Sequence, residues 1–397
     1  MNTKRAPKVR FKGFTDAWEL RKLPEFVNFY SGLTYTPDNV QESGTLVLRS
    51  SNVKNGEIID ADNVYVNIDI VNSENVQDGD IIVVIRNGSR ALIGKHAQIK
   101  GFRSNTVIGA FMTGIRSEHP AFVNALLDTP AFEIEIAKNL GATINQITGY
   151  MFSKMEFAIP SSKEQIEIGK FFLNLDNLIT LHQRKLDKMK ELKKAFLNLI
   201  FSQKLRFYAF TESWELRKLK DITYPAGEKN REDLPLDSYS ITNEHGFIPQ
   251  DERFENGGTM READKKMYYI VSPHSFAYNP ARINIGSIGY QNTDKNVIVS
   301  SLYEVFKTSD DVDDRLLWHW FKSSYFQKLI EQFQEGGVRL YFYYDKLCMG
   351  TLSLPSFEEQ HKIGKYLDTY DNLITLRQEK INQLTKLKTT FLKNMFL

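Results

Sequence analysis

The chain carries the same text twice. Thr15-Asp16-Ala17-Trp18-Glu19-Leu20-Arg21-Lys22-Leu23 returns as Thr211-Glu212-Ser213-Trp214-Glu215-Leu216-Arg217-Lys218-Leu219, and Asp176-Asn177-Leu178-Ile179-Thr180-Leu181 returns as Asp371-Asn372-Leu373-Ile374-Thr375-Leu376. Both offsets are close to half of the 397 residues, so the chain holds two copies of one unit and not an array of small repeats. Between these matching ends, residues 24–140 and 220–335 share almost no identity. A duplicated frame with two divergent inserts predicts a device that holds two different readers.

Each insert reads as mixed α/β with many short strands. In the first, Thr45–Asn52 and Glu57–Tyr65 flank the hairpin turn Lys54-Asn55-Gly56, and Asp80–Ile85 is a continuous apolar run of the kind found in a buried strand. Pro120–Lys138 has helical spacing. The second insert follows the same grammar, with strands at Ser238–Thr242 and Ser275–Tyr278 around the turn Glu244-His245-Gly246, then a helix over Asp313–Gln332.

The repeated helices follow. Pro160 precedes Ser161-Ser162-Lys163-Glu164-Gln165, and Pro355 precedes Ser356-Phe357-Glu358-Glu359-Gln360, which is the pattern of a capped helix start. Beyond it, apolar residues step by four and three: Ile168, Phe172, Leu175, Ile179 and Leu186 in one copy, Ile363, Leu367, Tyr370, Ile374 and Ile381 in the other. Such a seam, held over roughly 38 residues or about 57 Å, needs a partner, and the simplest is the other helix, packed antiparallel. Polar residues interrupt both seams at matching places, His182 with Arg377 and Lys193 with Lys388, as expected of groups that fix register.

Composition narrows the class. Charged residues at 25% and apolar residues at 42% are ordinary for a globular protein, and no apolar run approaches the ~20 residues of a membrane span. No apolar segment follows the basic Met1–Arg5, so no signal peptide is expected and the cytoplasm is the expected location. Cys348 is the only cysteine, which excludes an internal disulfide and a thiolate metal cluster, and its apolar neighbours predict an inert buried thiol. The net charge of +2 does not by itself announce a nucleic-acid binder. The excess of basic over acidic residues lies in the repeated helices: residues 159–205 hold nine Lys/Arg against five Asp/Glu, and 354–397 hold seven against five.

The opening Arg-Phe-x-x-Phe-Thr-x-x-Trp-Glu occurs at Arg10 to Glu19 and at Arg206 to Glu215; the Pro-x-x-x-Glu-Gln helix start and the Asp-Asn-Leu-Ile-Thr-Leu segment occur twice as well. Over the whole chain and in both copies, these residues resemble the specificity (S) subunit of type I restriction–modification systems. The resemblance implies an α+β chain with a pseudo-two-fold internal repeat. Target recognition domains at 1–158 and 206–353 would be joined by spacer helices at 159–205 and 354–397 packed as an antiparallel coiled coil. It further implies double-stranded DNA as ligand, with each domain reading one half of a bipartite asymmetric site. Two modification (methyltransferase) subunits and restriction (motor-nuclease) subunits are the implied partners. S-adenosylmethionine, ATP and magnesium belong to those partners, and no cofactor is expected on this chain. The chain itself would direct adenine methylation and restriction without performing either.

A search for chemistry among the residues agrees. The nearest approach to an adenine methyltransferase motif, Asn279-Pro280-Ala281-Arg282, lacks the second proline and the aromatic residue. No glycine-rich loop joins a strand to a helix, and the seven histidines lack ligand spacing.

Candidate DNA contacts come from one echo between the inserts. Asn87-Gly88-Ser89-Arg90-Ala91-Leu92-Ile93-Gly94 aligns with Asn279-Pro280-Ala281-Arg282-Ile283-Asn284-Ile285-Gly286, sharing Asn-x-x-Arg-x-x-Ile-Gly. Arginine bridges guanine or holds phosphate, and asparagine pairs with adenine, so Asn87, Arg90, Asn279, Arg282 and Asn284 are candidates. An ordinary turn before a strand uses the same residues. Arg49 and Asn52, Asn145 and Gln146, and Arg339 and Tyr341 are added on position alone. Ile168, Phe172, Leu175, Ile179, Leu186 and their counterparts Ile363, Leu367, Tyr370, Ile374 and Ile381 are the candidate surface for the helix pair and partners. A two-headed, non-catalytic protein-binding adaptor is the alternative that the residues leave open.

Overall fold

The computed structural model of the chain describes residues 6–101, 103–140, 145–243, 246–253 and 264–397. Two compact units emerge: Met1–Gln183 with Glu379–Leu397, and Arg184–Gln378. The division falls inside both long helices, so each unit contains the beginning of one and the end of the other.

In the first unit the apolar run becomes the strand Ile81–Val84, with every side chain fully buried. It lies inside a four-stranded antiparallel sheet ordered Asn28–Ser31, Met112–Arg116, Ile81–Val84, His96–Gln98. A second sheet is ordered Thr106–Ile108, Thr45–Leu48, Val64–Val66, Val40–Gln41. The turn at Asn55-Gly56 closes a tight hairpin of Val53–Lys54 with Glu57–Ile58, both turn residues having positive φ (53° and 74°). The longer flanking strands expected from the sequence are instead Thr45–Leu48 paired with Val64–Val66.

The second unit repeats the main sheet although its sequence does not. Its antiparallel order is Thr223–Pro225, Glu304–Thr308, Phe276–Tyr278, Ile288–Tyr290. In both units a two-stranded ribbon joins the repeated Glu-Leu-Arg-Lys to the strand before the long helix: Glu19–Lys22 with Glu156–Ile159, and Glu215–Lys218 with Thr351–Leu354. The expected strands at Ser238–Thr242 and Ser275–Tyr278 are found as Tyr239–Thr242 and Phe276–Tyr278; Glu244 and His245 of the expected turn lie outside the described residues.

The helix expected over Pro120–Lys138 is two, Pro120–Leu127 and Pro130–Asn139. Thr129 caps the second by accepting from the Phe132 amide, and Pro130 cannot continue a helix that would need its N–H. Likewise Asp313–Gln332 divides into Asp314–Phe321 and Ser324–Phe333. No described helix is long and apolar enough to cross a membrane. Cys348 is half-buried, and burial pushes its thiol pKa up.

The long helices span Ser162–Phe201 and Phe357–Met395. The seam is buried as expected at Leu175, Leu186 and Ile381, and half-buried at Ile179, Tyr370 and Ile374. Ile168, Phe172, Ile363 and Leu367 serve a second purpose besides the helix pair. They belong to the globular cores, where they join the far end of the other helix (Leu392, Met395 and Phe396 in the first unit; Leu197, Ile200 and Phe201 in the second). Gly169 and Gly364 permit this close approach: a Cβ at either would stand 2.8 Å from the Phe122 nitrogen or 2.9 Å from the Arg315 Cβ. Within each unit, residue numbers run in opposite directions along the contact, Phe171 meeting Phe391 and Asp176 meeting Lys388, or Lys193 meeting Asp371 and Phe196 meeting Tyr366.

The repeated motifs are the joints of these units. Arg10 grips Glu164 with two hydrogen bonds of 2.6 and 2.7 Å, and Arg206 grips Glu359 with bonds of 3.0 and 2.6 Å. Both carboxylates are buried and so require such a charged partner. The glutamate expected to cap the helix start therefore anchors the N-terminal segment of its repeat instead. Gln165 and Gln360 donate back to the Pro160 and Pro355 carbonyls. Lys388 reaches Asp176 (2.5 Å) and Asp128 (2.6 Å), while Lys193 reaches Asp371 (2.5 Å). The lysines interrupting each seam thus meet the aspartate of the Asp-Asn-Leu-Ile-Thr-Leu repeat on the opposite helix. Burial pulls the Lys388 pKa down, but the two carboxylates outweigh it and hold it above its ordinary value. In the second unit the fully buried His319 donates its Nε2–H to Asp368 (2.9 Å), and burial lowers its pKa.

Candidate nucleic-acid interface

In both units the Asn-x-x-Arg segment forms the same small structure. The Asn87 Oδ1 accepts from the Ser89 amide and the Asn279 Oδ1 from the Ala281 amide, each at 3.0 Å. A single 3-10 turn follows, Arg90–Leu92 with Gly94 (φ 85°) two residues on, or Ile283–Ile285 with Gly286 (φ 87°) directly after, and that φ favours glycine. The asparagine and glycine of the shared pattern therefore serve the backbone. The arginines do not: Arg90 and Arg282 are exposed, as is Asn284.

Each loop is pinned to a second one. The Asn87 amide donates to the Asn145 carbonyl, the Asn145 Nδ2 donates to the Gly88 carbonyl (3.1 Å), and Gln146 bridges Arg86. In the second unit the Phe342 amide donates to the Pro280 carbonyl. This brings Asn279, Arg282, Arg339 and Tyr341 together around one cleft of about 570 Å³, with Glu304 and Tyr343 on its wall. Tyr341 and Tyr343 stack with parallel rings 5.6 Å apart. Burial, reinforced by Asp345, raises the Glu304 carboxyl pKa.

The first unit has a cleft of about 770 Å³ beside the start of strand Met112–Arg116, as the other is beside the start of Glu304–Thr308, but neither Asn87 nor Arg90 lines it. Its lining differs: Arg49, Ser50 and Asp62 share it with Tyr35, Val64 and Phe111. Different chemistry on one sheet order is what two unlike readers need.

Some candidates have other work. Asn52 is a correction: it is fully buried, with its Nδ2 donating to the Ile59 and Ala61 carbonyls and Asn63 Oδ1, and its Oδ1 accepting from the Arg49 amide, so it cannot meet a base. Asn87 donates its amide group to Ser50 Oγ and accepts from the Ser89 amide, each at 3.0 Å, so the side chain is tied into its own loop. Arg49 is half-buried and donates to the Asp62 carbonyl (2.7 Å) at the cleft wall. Asn145 and Gln146 are half-buried loop ties. Sequence reasoning missed Arg86 and Phe111, which meet only through the fold. Among the described residues no group of three or more His, Cys, Asp and Glu could hold a metal ion.

Residues 15–191 and 211–386 match a family model described as the type I restriction modification DNA specificity domain. The chain is 22% identical over 353 residues to the type I restriction enzyme MjaVIII specificity subunit of Methanocaldococcus jannaschii, covering 81% of this chain and 79% of that one. It is 21% identical over 208 residues to the EcoKI specificity subunit of Escherichia coli K12, half of this chain and 44% of the relative. In three dimensions it resembles a crystal structure of the type I restriction–modification S subunit from M. genitalium, with a TM-score of 0.65, 14% identity and 99% of both chains covered.

Proposed function

Because the chain belongs to the type I restriction modification DNA specificity family, we propose that it is the DNA-reading subunit of such an enzyme, with one half of a bipartite asymmetric site read by each unit. The observation that carries this reading is the pair of units built on one sheet order, each with an exposed arginine on its Asn-x-x-Arg loop but with different residues around it. Arg90 contacts the half-site of the first unit, and Arg282 with Arg339 that of the second. The two long helices form one antiparallel spacer that sets the gap between the halves. Two modification subunits dock on the repeated frame, and restriction subunits join them. Methyl transfer and cleavage, with S-adenosylmethionine, ATP and magnesium, take place on those partners; this chain is not catalytic.

Arg90→Ala and Arg282→Ala test the reading. Each is expected to weaken specific binding by about 1–3 kcal/mol, the range for a good bidentate base contact, and to relax preference in its own half-site only. A duplex panel with every single-base change, titrated by fluorescence anisotropy across a salt series, measures both quantities. A phosphate contact would lower affinity for all sequences and reduce the salt slope by about one unit. A structural role would lower only the melting temperature. Absence of any salt-dependent binding by the unmutated chain would favour the two-headed protein adaptor.

A further inference from the structure

Arg86 is a charged group that none of the repeated motifs explains. It is exposed, and its guanidinium lies over the ring of Phe111, 4.9 Å from the centroid. Phe111 is itself 55% exposed, so the guanidinium and the ring it covers both face solvent. The backbone fixes the pair: the Ile85 and Arg86 amides both donate to the Phe111 carbonyl, at 3.0 and 3.2 Å. Arg86 is also bridged to Gln146 and is followed by the pinned Asn87, so it stands on the two tied loops beside Arg90. No carboxylate forms an ion pair with it among the described residues. The residue before the second loop's asparagine is the buried Tyr278, so the second unit carries no arginine at the corresponding point of its sequence.

We propose that Arg86 is a specificity-determining residue of the first unit that reads a guanine, with Phe111 as the platform that orients it. The inference rests on the DNA-reading function proposed above and names one base contact within it. An arginine free to rotate loses side-chain entropy on binding; one already stacked on a ring presents its planar fork with less to lose. The fork matches guanine O6 and N7 in the major groove. Lysine keeps the charge and a contact with the ring but cannot make the bidentate pair.

The test uses the full chain with Arg86→Lys, Arg86→Ala and Phe111→Leu, each titrated against the natural site, single-base variants and random duplex, with thermal melting in parallel. Arg86→Lys is expected to lose roughly tenfold or more in affinity for the natural site, and its discrimination at one G·C pair of one half-site. Affinity for random duplex and the salt slope should be unchanged. Phe111→Leu should lose part of the same discrimination at the same base pair. A uniform loss on all duplexes in Arg86→Ala together with unaltered base preference in Arg86→Lys would make Arg86 a phosphate contact and overturn the proposal. Unaltered binding in all three variants, or a change confined to melting, would overturn it too. If the unmutated chain shows no preference for any duplex, the DNA-reading function itself fails; if Arg90→Ala shifts preference and Arg86→Lys does not, only this inference fails.

Discussion

Replacing Lys388 with methionine is expected to cost the first unit about 3 kcal/mol, far more than a surface ion pair is worth. The ammonium is 17% exposed and sits between Asp128 and Asp176, both within 2.6 Å. Without it, two mostly buried carboxylates face each other with no cation between them. Replacing Lys193 in the second unit should cost less, because Asp371 keeps the ammonium of Lys322 within 3.8 Å. The deficit also has a direction in pH. Burial already raises the Asp176 pKa, and losing Lys388 raises it further above its unfolded value. The folded variant then binds more protons than the unfolded chain, so its stability rises relative to the parent as pH falls through that raised pKa. Chemical denaturation of both variants between pH 8 and pH 5, with hydrogen exchange to locate the loss, checks this. Equal costs for the two lysines, or a cost below about 0.5 kcal/mol for Lys388, would mean that the node is a surface pair.

Seven residues inserted into each long helix, after Gln183 and after Gln378, are expected to lengthen the recognised gap by about three base pairs and leave both half-sites unchanged. These are the points at which each helix passes from one unit to the other. A heptad adds about 10 Å of helix and keeps the apolar seam on one face, whereas an insertion of three or four would turn it away. Insertion in one helix alone should break the Lys–Asp register of one unit. Sequencing the methylated sites of cells that express the variant reads the gap directly. An unaltered gap would show that the helices do not set it.

The frame was legible because the chain repeats it. Duplicated residues such as Arg10, Trp18, Glu164 and Asp176 marked both ends of each copy, and the helical spacing marked what lies between. The partners of those residues were not legible: Arg10 and Glu164 are 154 residues apart, and Lys388 and Asp128 are 260 apart. That the start of each seam also belongs to a globular core was not legible, because core burial and helix pairing impose the same three-four spacing. The common sheet of the inserts showed only as similar grammar, since a strand's pattern survives when its identities change. Asn52 reads equally as a base contact or a backbone tie, since an asparagine near a turn suits both, and only its burial separates the two. Arg86 was overlooked because its platform lies on another strand's approach, where no local motif points to it.

The central claim is that one chain reads two unlike half-sites with two units built on one plan. Methylome sequencing of the host with and without this gene tests it most directly, using a third strain in which residues 20–158 come from another member of the family. The account predicts one asymmetric, gapped methylation motif that appears only with the gene, and that keeps one half and changes the other in the third strain. A motif that persists without the gene, or a chimera that folds and assembles but loses both halves, would contradict it.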